Sequence, residues 1–415
     1  MPRPPAGGFR RTPRLQCRCM TTIIKAASAA QFLSLVPKML GYQPTRSLVL
    51  IPFAGSRSIG AMRFDLPAET GFDELDSFAA TLIGMVCRLP EADAVAAVAY
   101  TDARFSDGGP PHRDIIEALE GQADACGIRL TDALCVAADA WGSHFDPTCP
   151  ASGRPLFQLV ESPQGSEHLS VSDGDQAAGA DLPHVDLAER ERAARALAAL
   201  QSAVRLLCGP EQARTVAHAH LDVGVDPSES RDEDLDDRRV DPQALATVCA
   251  LDDLPTLFEE ALGWDAASLE RFDAAALTWC LARPALRDIA LVQWCGGMAA
   301  GDEALDAQLR WESGEEYPTH LAMQMWGEGE RPDPDRLEAA LALSRRIAAA
   351  APREVRPGPL ATCAWLAWAL GRSTHAERYA LLACEIEPEH GLAEIVRSFV
   401  LAGHLPDWAF RPQTR

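Results

Sequence analysis

Ser47-Leu48-Val49-Leu50-Ile51-Pro52-Phe53 is an unbroken apolar run, rich in branched side chains and too short for a helix. A run with no polar alternation reads as a strand covered on both faces, as in sheets that carry helices on each side. Upstream, Ala29, Phe32, Leu33, Val36 and Leu40 recur at helical spacing, which predicts a short amphipathic helix leading to a turn at Gly41 to Pro44, with Pro37 kinking or ending it. Downstream, beyond a Gly-Ser turn, Ile59 to Leu66 alternates well enough to be a hairpin partner. Residues 73–88 read as a helix, Ala94 to Tyr100 as a second buried strand, Pro111 to Cys126 as a helix and Leu134 to Ala138 as a last strand. Strands alternating with helices after a hairpin predict an α/β domain with a mixed sheet and parallel pairing in its later part.

Beyond this block the pattern changes to all-α. Residues 161–186 are polar, with Gly165, Gly174 and Gly179, and read as an exposed linker. Leu187 to Leu207 is a helix broken at Gly209-Pro210, within a helical connector over 187–225. Residues 226–241 hold eight acids and three arginines, an acidic linker. From 242 to 412, Ala, Leu and Trp recur at helical spacing between Pro and Gly breakers, as in stacked helical hairpins. Ala376, Ala380, Ala383 and Pro388, with Gly371 before them, match the second helix of a tetratricopeptide repeat (TPR), and Ala340, Ser344, Ile347 and Pro352 form a fainter copy thirty-six residues earlier. The expected organisation is therefore an α/β domain over 22–160 followed by a helical, TPR-like region.

Composition excludes several functions. The chain has 415 residues, 47% hydrophobic and 24% charged, with a net charge of −22. That field repels nucleic acid and anionic lipid unless a basic face is segregated, and none is visible, so neither nucleic acid nor membrane is expected as a partner. The only lysines are Lys25 and Lys38 and asparagine is absent, which removes a P-loop and N-glycosylation. No cofactor motif is present. The twelve cysteines are scattered, and Cys208, Cys249, Cys280, Cys363 and Cys384 read as buried small hydrophobes in a reducing cytosol. Residues 1–21, with five arginines, no acid and four prolines, read as disordered or as a mis-assigned start, with translation expected from Met20.

Met39-Leu40-Gly41-Tyr42-Gln43-Pro44-Thr45-Arg46-Ser47-Leu48-Val49-Leu50-Ile51 resembles the opening of the bacterial family called domain of unknown function 4192. The likeness continues through Arg63, Asp65, Leu66 and Pro67, through Asp132-Ala133-Leu134 and Trp141, and through Trp365, Ala367, Trp368 and Gly371. Members of that family carry a Trp-x-Ser segment followed by several cysteines and a proline. Here Trp141-Gly142-Ser143-His144 leads to Cys149-Pro150 alone, and one cysteine cannot hold a metal unaided. The resemblance implies a cytoplasmic protein and supplies no activity.

Two loops are candidate ligand-binding positions, because ligands of open α/β sheets bind beyond the carboxyl ends of parallel strands. One holds Asp102, Arg104, Asp107, His112 and Arg113; the other holds Asp139, Trp141, Ser143 and His144. If the two strands are neighbours, the loops line one cleft with acids, imidazoles and an aromatic wall. Weaker patterns are His218, His220 and Asp222 as metal ligands, Cys17 and Cys19 as a metal pair, and Gly55-Ser56-Arg57-Ser58-Ile59-Gly60 as a nucleophile elbow with the wrong spacing. Arg287 and Asp288 inside a helix read as an internal ion pair, although adjacent helix residues do not face each other and each would need another partner. Trp279, Trp294, Trp365 and Trp368 are expected to fill the helical core. With no catalytic motif recognisable, the expected function is a non-catalytic binding or scaffold protein that holds a protein or peptide through its helical region. The alternative is a small-molecule binder or enzyme with its cleft at loops 102–113 and 139–144.

Overall fold

The computed structural model describes residues 24–67, 71–105, 109–160, 173–215 and 240–411, together with Pro163, Gly165, Ser166, Leu169 and Val171. Outside the described residues lie the expected start at Met20, Cys17 and Cys19, Asp107, the His218, His220 and Asp222 pattern and most of the acidic linker. The chain divides into two compact units, which meet in sequence at Asp175 and Gln176. No described helix is long and apolar enough to cross a membrane.

The first unit is a mixed six-stranded sheet with helices on both faces. Its elements are α1 (Ala29–Leu40), β1 (Ser47–Ala54), β2 (Arg57–Ser58), β3 (Met62–Asp65), α2 (Phe72–Cys87), β4 (Ala94–Tyr100), α3 (Arg113–Cys126), β5 (Arg129–Val136) and β6 (Trp141–Ser143). Pro37 does not end α1. The helix runs on to Leu40, where Gly41, at φ +83°, turns the chain in a conformation open to residues without a Cβ. β1 and β4 are the buried runs the sequence indicates, and they pair antiparallel from Ser47 with Tyr100 to Phe53 with Ala94. Among the described strands parallel pairing is confined to β4 and β5, as the crossover through α3 allows. The hairpin partner is split, with β2 bonded to the end of β1 and β3 to its start.

The double burial of β1 and β4 follows from alternation between two apolar layers. Leu48, Leu50, Val95, Ala97 and Ala99 pack with α2 and α3, whereas Val49, Ile51, Val98 and Tyr100 pack with α1. β5 begins five residues before the strand expected at Leu134, because its first turns carry Arg129, Thr131 and Asp132, which hide the strand from an apolar-run criterion. β6 was expected only as part of a loop; it pairs antiparallel with β5.

The second unit is helical: α4 (Leu187–Thr215), α5 (Pro242–Ala250), α6 (Leu254–Ala261), α7 (Arg271–Leu281), α8 (Pro284–Gly296), α9 (Met298–Glu312), α10 (Thr319–Met325), α11 (Pro334–Ala350), α12 (Pro357–Ala369), α13 (Ser373–Cys384) and α14 (Gly391–Leu401). Gly209 breaks α4 where Gly-Pro indicates. Trp294, Trp365 and Trp368 are fully enclosed and Trp279 is buried, and each of the first three donates its indole N–H to a backbone carbonyl, of Phe258, Met325 and His404 respectively. The small residues Ala376, Ala380 and Ala383 are buried on α13 behind the turn at Gly371. Residues 326–333, where most of the first helix of the fainter upstream unit would fall, form turn and loop.

Three expectations are corrected. Cys208 and Cys249 are exposed and Cys384 is partly so, whereas Cys280 and Cys363 are buried; helical spacing alone did not say which side of each helix meets solvent. Arg287 and Asp288 form their ion pair with each other, at 2.9 Å, and not with the other partners that adjacency would demand, because the arginine side chain is long enough to fold back over its neighbour. The described residues of 161–186 are not uniformly exposed. Ser166 is buried and takes the Lys38 ammonium, while Ala180 and Val185 are buried in the second unit, where Arg346 captures the His184 carbonyl. Long cationic side chains thus satisfy backbone carbonyls that water would otherwise hold.

Candidate functional site

β4 and β5 are neighbours, as a shared cleft requires, yet their loops close on each other. The Thr101 N–H donates to the Val136 carbonyl at 3.0 Å, the Ala138 N–H to the Ala103 carbonyl at 3.0 Å, and the Phe105 N–H to Asp139 Oδ1 at 3.1 Å. Asp139 is therefore a loop clasp. A Cβ on Gly142 would meet the Phe105 ring at 3.1 Å, so the ring occupies space that an open cleft would need. Asp102 and Arg104 stay in solvent, Asp102 3.8 Å from the equally exposed Arg46. His112 caps α3 in the left-handed region at φ 65° and its Nε2 lies 2.9 Å from Thr101 Oγ1. Burial lowers its pKa, with Asp114 opposing.

The cavity lies one strand further out, on the α1 face at the β5–β6 edge. It is an open depression of about 530 Å³ between the start of α1, Thr131 and Asp132 of β5, Trp141 and Ser143 of β6, and the returning segment with Asp146, Arg154 and Gln158. That segment is held by two backbone hydrogen bonds between Trp141 and Arg154, at 2.9 and 2.7 Å. The Arg154 guanidinium lies 5.3 Å from the Trp141 ring centre and pairs with Asp146. Thr148, through its hydroxyl and its N–H, and then Arg154 hold the Asp146 carboxyl down to about 2. Ser143 Oγ donates to Asp132 Oδ1 at 2.6 Å, which also accepts the Ala133 N–H. Most of the polar groups here are bonded to one another. They build a rim around an aromatic wall, with the Trp141 indole N–H buried and unpartnered.

Of the expected residues, Trp141 and Ser143 line this cavity; Arg113 from the first expected loop and Ser143 and His144 from the second line another, of about 270 Å³, with Asp146 and Cys149. Asp102, Arg104, His112 and Asp139 line neither. Sequence reasoning missed Asp146, Arg154 and the role of Asp132. The signal for Asp132 was a lone acid inside a strand beside Ala133-Leu134; Asp146 and Arg154 had none, since a loop pairing leaves no periodic trace.

A family model for a domain of unknown function, DUF4192, matches residues 30–407. The chain belongs to that family. No curated protein and no solved structure matches it. The match takes in both units of this DUF4192 chain, and the segments that carried the resemblance have separate places: Asp132 and Trp141 at the cavity, Trp365 and Trp368 in the helical core.

His144 gives this DUF4192 chain a testable acid response. Burial, then the Arg113 and His112 charges, push the imidazole down to about 4, while the Pro111 carbonyl pulls the other way. The unfolded chain, at about 6.5, binds that proton more tightly, so the stability is complete above pH ~6.5 and is lost as pH falls towards 4. His144→Gln should flatten the decline in urea midpoint across that window relative to the parent. Parallel pH curves for the two proteins would refute the assignment.

Proposed function

We propose that the chain is a non-catalytic binding or scaffold protein, whose helical, TPR-like region holds a basic segment of another protein or peptide. The observation that carries this reading is the segment 311–330. Trp311 and Trp326 are 55% and 51% exposed, and Glu312, Glu315, Glu316, Glu328 and Glu330 are exposed in the same segment, which contains no lysine or arginine. Exposed tryptophans cost solvation without a partner and are frequent anchors in interfaces. A guanidinium or ammonium laid on an indole face, with carboxylates beside it, gains both cation–π and charge attraction. Support for the TPR-like part is the α12–α13 hairpin, whose small buried residues permit close helix crossing. The zipped loops 101–105 and 136–139 weigh against the rival reading of a catalytic cleft at those positions.

The test is a titration of the full chain with an arginine-rich peptide, read by tryptophan fluorescence. Binding is expected at low salt and should weaken steadily as ionic strength rises. Trp326→Ser and Trp311→Ser should each weaken it about fivefold, the equivalent of ~1 kcal/mol. Absence of binding, or binding indifferent to salt and to both substitutions, would overturn the proposal.

A further inference from the structure

α2 and α3 lie on the same face of the sheet and each returns the chain to the start of the next strand. β3 and β4 both run antiparallel to β1, and β4 runs parallel to β5, so both helices run against the β4 direction and parallel to each other. They therefore end at the same edge. Each ends on a cysteine: Cys87 is the last residue of α2 and Cys126 the last of α3. Both are exposed, unlike Cys135 on the neighbouring strand, which is buried. Beneath them the two helices share an apolar seam of Leu82, Ile83, Val86, Leu119 and Ala123, and Gln122 donates to Asp76 across it at 2.8 Å. Both cysteines stand at the C-terminal end of this seam. Burial raises the Cys87 pKa first, and the hydrogen-bonding and charge of the Cys126 thiol raise it further. Two solvent-facing thiols, one at the end of each of two packed helices that run the same way, are candidates for a bridge between those ends.

We propose that Cys87 and Cys126 are a thiol-exchange site, which small-molecule disulfides of the glutathione class oxidise to an intramolecular disulfide that ties α2 to α3. One thiolate attacks a sulfur of the oxidant RS–SR, forming a mixed disulfide and expelling RS⁻. The second thiolate then attacks the protein sulfur of that mixed disulfide and expels another RS⁻. The two cysteines lose two electrons and their two protons, and the oxidant becomes two RSH. A dithiol reverses both steps. Because the pair is solvent-facing, exchange needs no unfolding, and its rate should rise with pH as thiolate forms. The bond would pin the ends of two helices whose seam is the core of the α/β unit.

The experiment is incubation of the folded full-length protein with oxidised glutathione at pH 8, followed by alkylation of remaining thiols and peptide mapping by mass spectrometry. A linked pair of peptides containing Cys87 and Cys126 is expected as the dominant product, restored to free thiols by dithiothreitol. Cys87→Ser and Cys126→Ser should each abolish the linked pair and leave the other cysteine glutathionylated, which also shows that the variant is folded and the remaining thiol accessible. Full circular dichroism of each variant guards against a trivial loss. Two separately glutathionylated cysteines in the parent, or links scattered among Cys208, Cys249 and Cys384 with no preference for this pair, would overturn the proposal.

Discussion

Trp368→Ala is expected to lower the stability of the helical unit by about 3–5 kcal/mol, the range for emptying a large aromatic site in a packed core. The indole is fully enclosed, with ring centres of Phe399 at 4.7 Å, His404 at 5.9 Å, Trp365 at 6.0 Å and Trp408 at 6.4 Å. Its N–H donates to the His404 carbonyl at 2.8 Å, and truncation removes that donor as well as the ring. Collapse into the space is limited because the residues around it sit on α12, α14 and the segments near Gly327 and Trp408, which are held by their own backbone bonds. Since domains commonly hold only about 5–15 kcal/mol in total, the variant should approach or cross the limit of folding at 37 °C. Urea unfolding read by tryptophan fluorescence is the measurement, and it is selective, because of the nine tryptophans only Trp141 lies outside the helical unit. Trp368→Phe, which keeps a ring and loses the donor, should cost less. Equal midpoints for parent and Trp368→Ala would mean that the aromatic cluster is not the core of this unit.

Gly358→Ala, at the start of α12, tests a close approach of main chain to main chain. On helix propensity alone alanine is worth up to about 1 kcal/mol over glycine. Packing reverses the sign: a Cβ on Gly358 would run into the Leu281 carbonyl oxygen and stand 2.8 Å from the Ala282 Cα, at the end of α7. Both obstacles are backbone, so neither can swing away as a side-chain tip could, and overpacking of this kind typically costs about 1–3 kcal/mol. A net destabilisation is expected, larger for Gly358→Val. Gly121→Ala on α3 is the control, since its Cβ would meet nothing within 4 Å and its helix is exposed there, so it should stabilise by up to about 1 kcal/mol. Melting curves of the two alanine variants should therefore move in opposite directions. If both rise, α12 does not approach α7 as closely as described.

Much of the architecture was legible because side-chain periodicity is local. Leu48 to Ile51 and Ala94 to Tyr100 are apolar at every position, and that alone required strands covered on both faces. The helical spacing after residue 187 and the enclosed tryptophans were likewise readable, since an indole of that size has few places outside a core. The site was legible at Arg113, Trp141, Ser143 and His144, residues of the two loops that follow strand ends, where ligand-binding positions are sought. Asp102, Arg104 and Asp139 drew attention by chemistry, but their distances from one another depend on how two loops bond, which no spacing encodes.

Sequence by itself determined where most of the strands and helices lie, because hydrophobic burial acts on residues two to four positions apart, but not β6, the start of β5 or the side of each helix that its cysteines take. Tertiary structure alone decided which segments became neighbours: β1 antiparallel to β4, Trp141 bridged to Arg154, Cys87 beside Cys126. Those choices depend on backbone hydrogen bonds and packing between residues tens of positions apart. The same cause tied the β4 and β5 loops together through three hydrogen bonds, one of which takes Asp139, set Arg113 beside Ser143 and His144 around the smaller cavity, and placed the other cavity at the sheet edge, where Asp146 and Arg154 meet only because the chain folds back on β6.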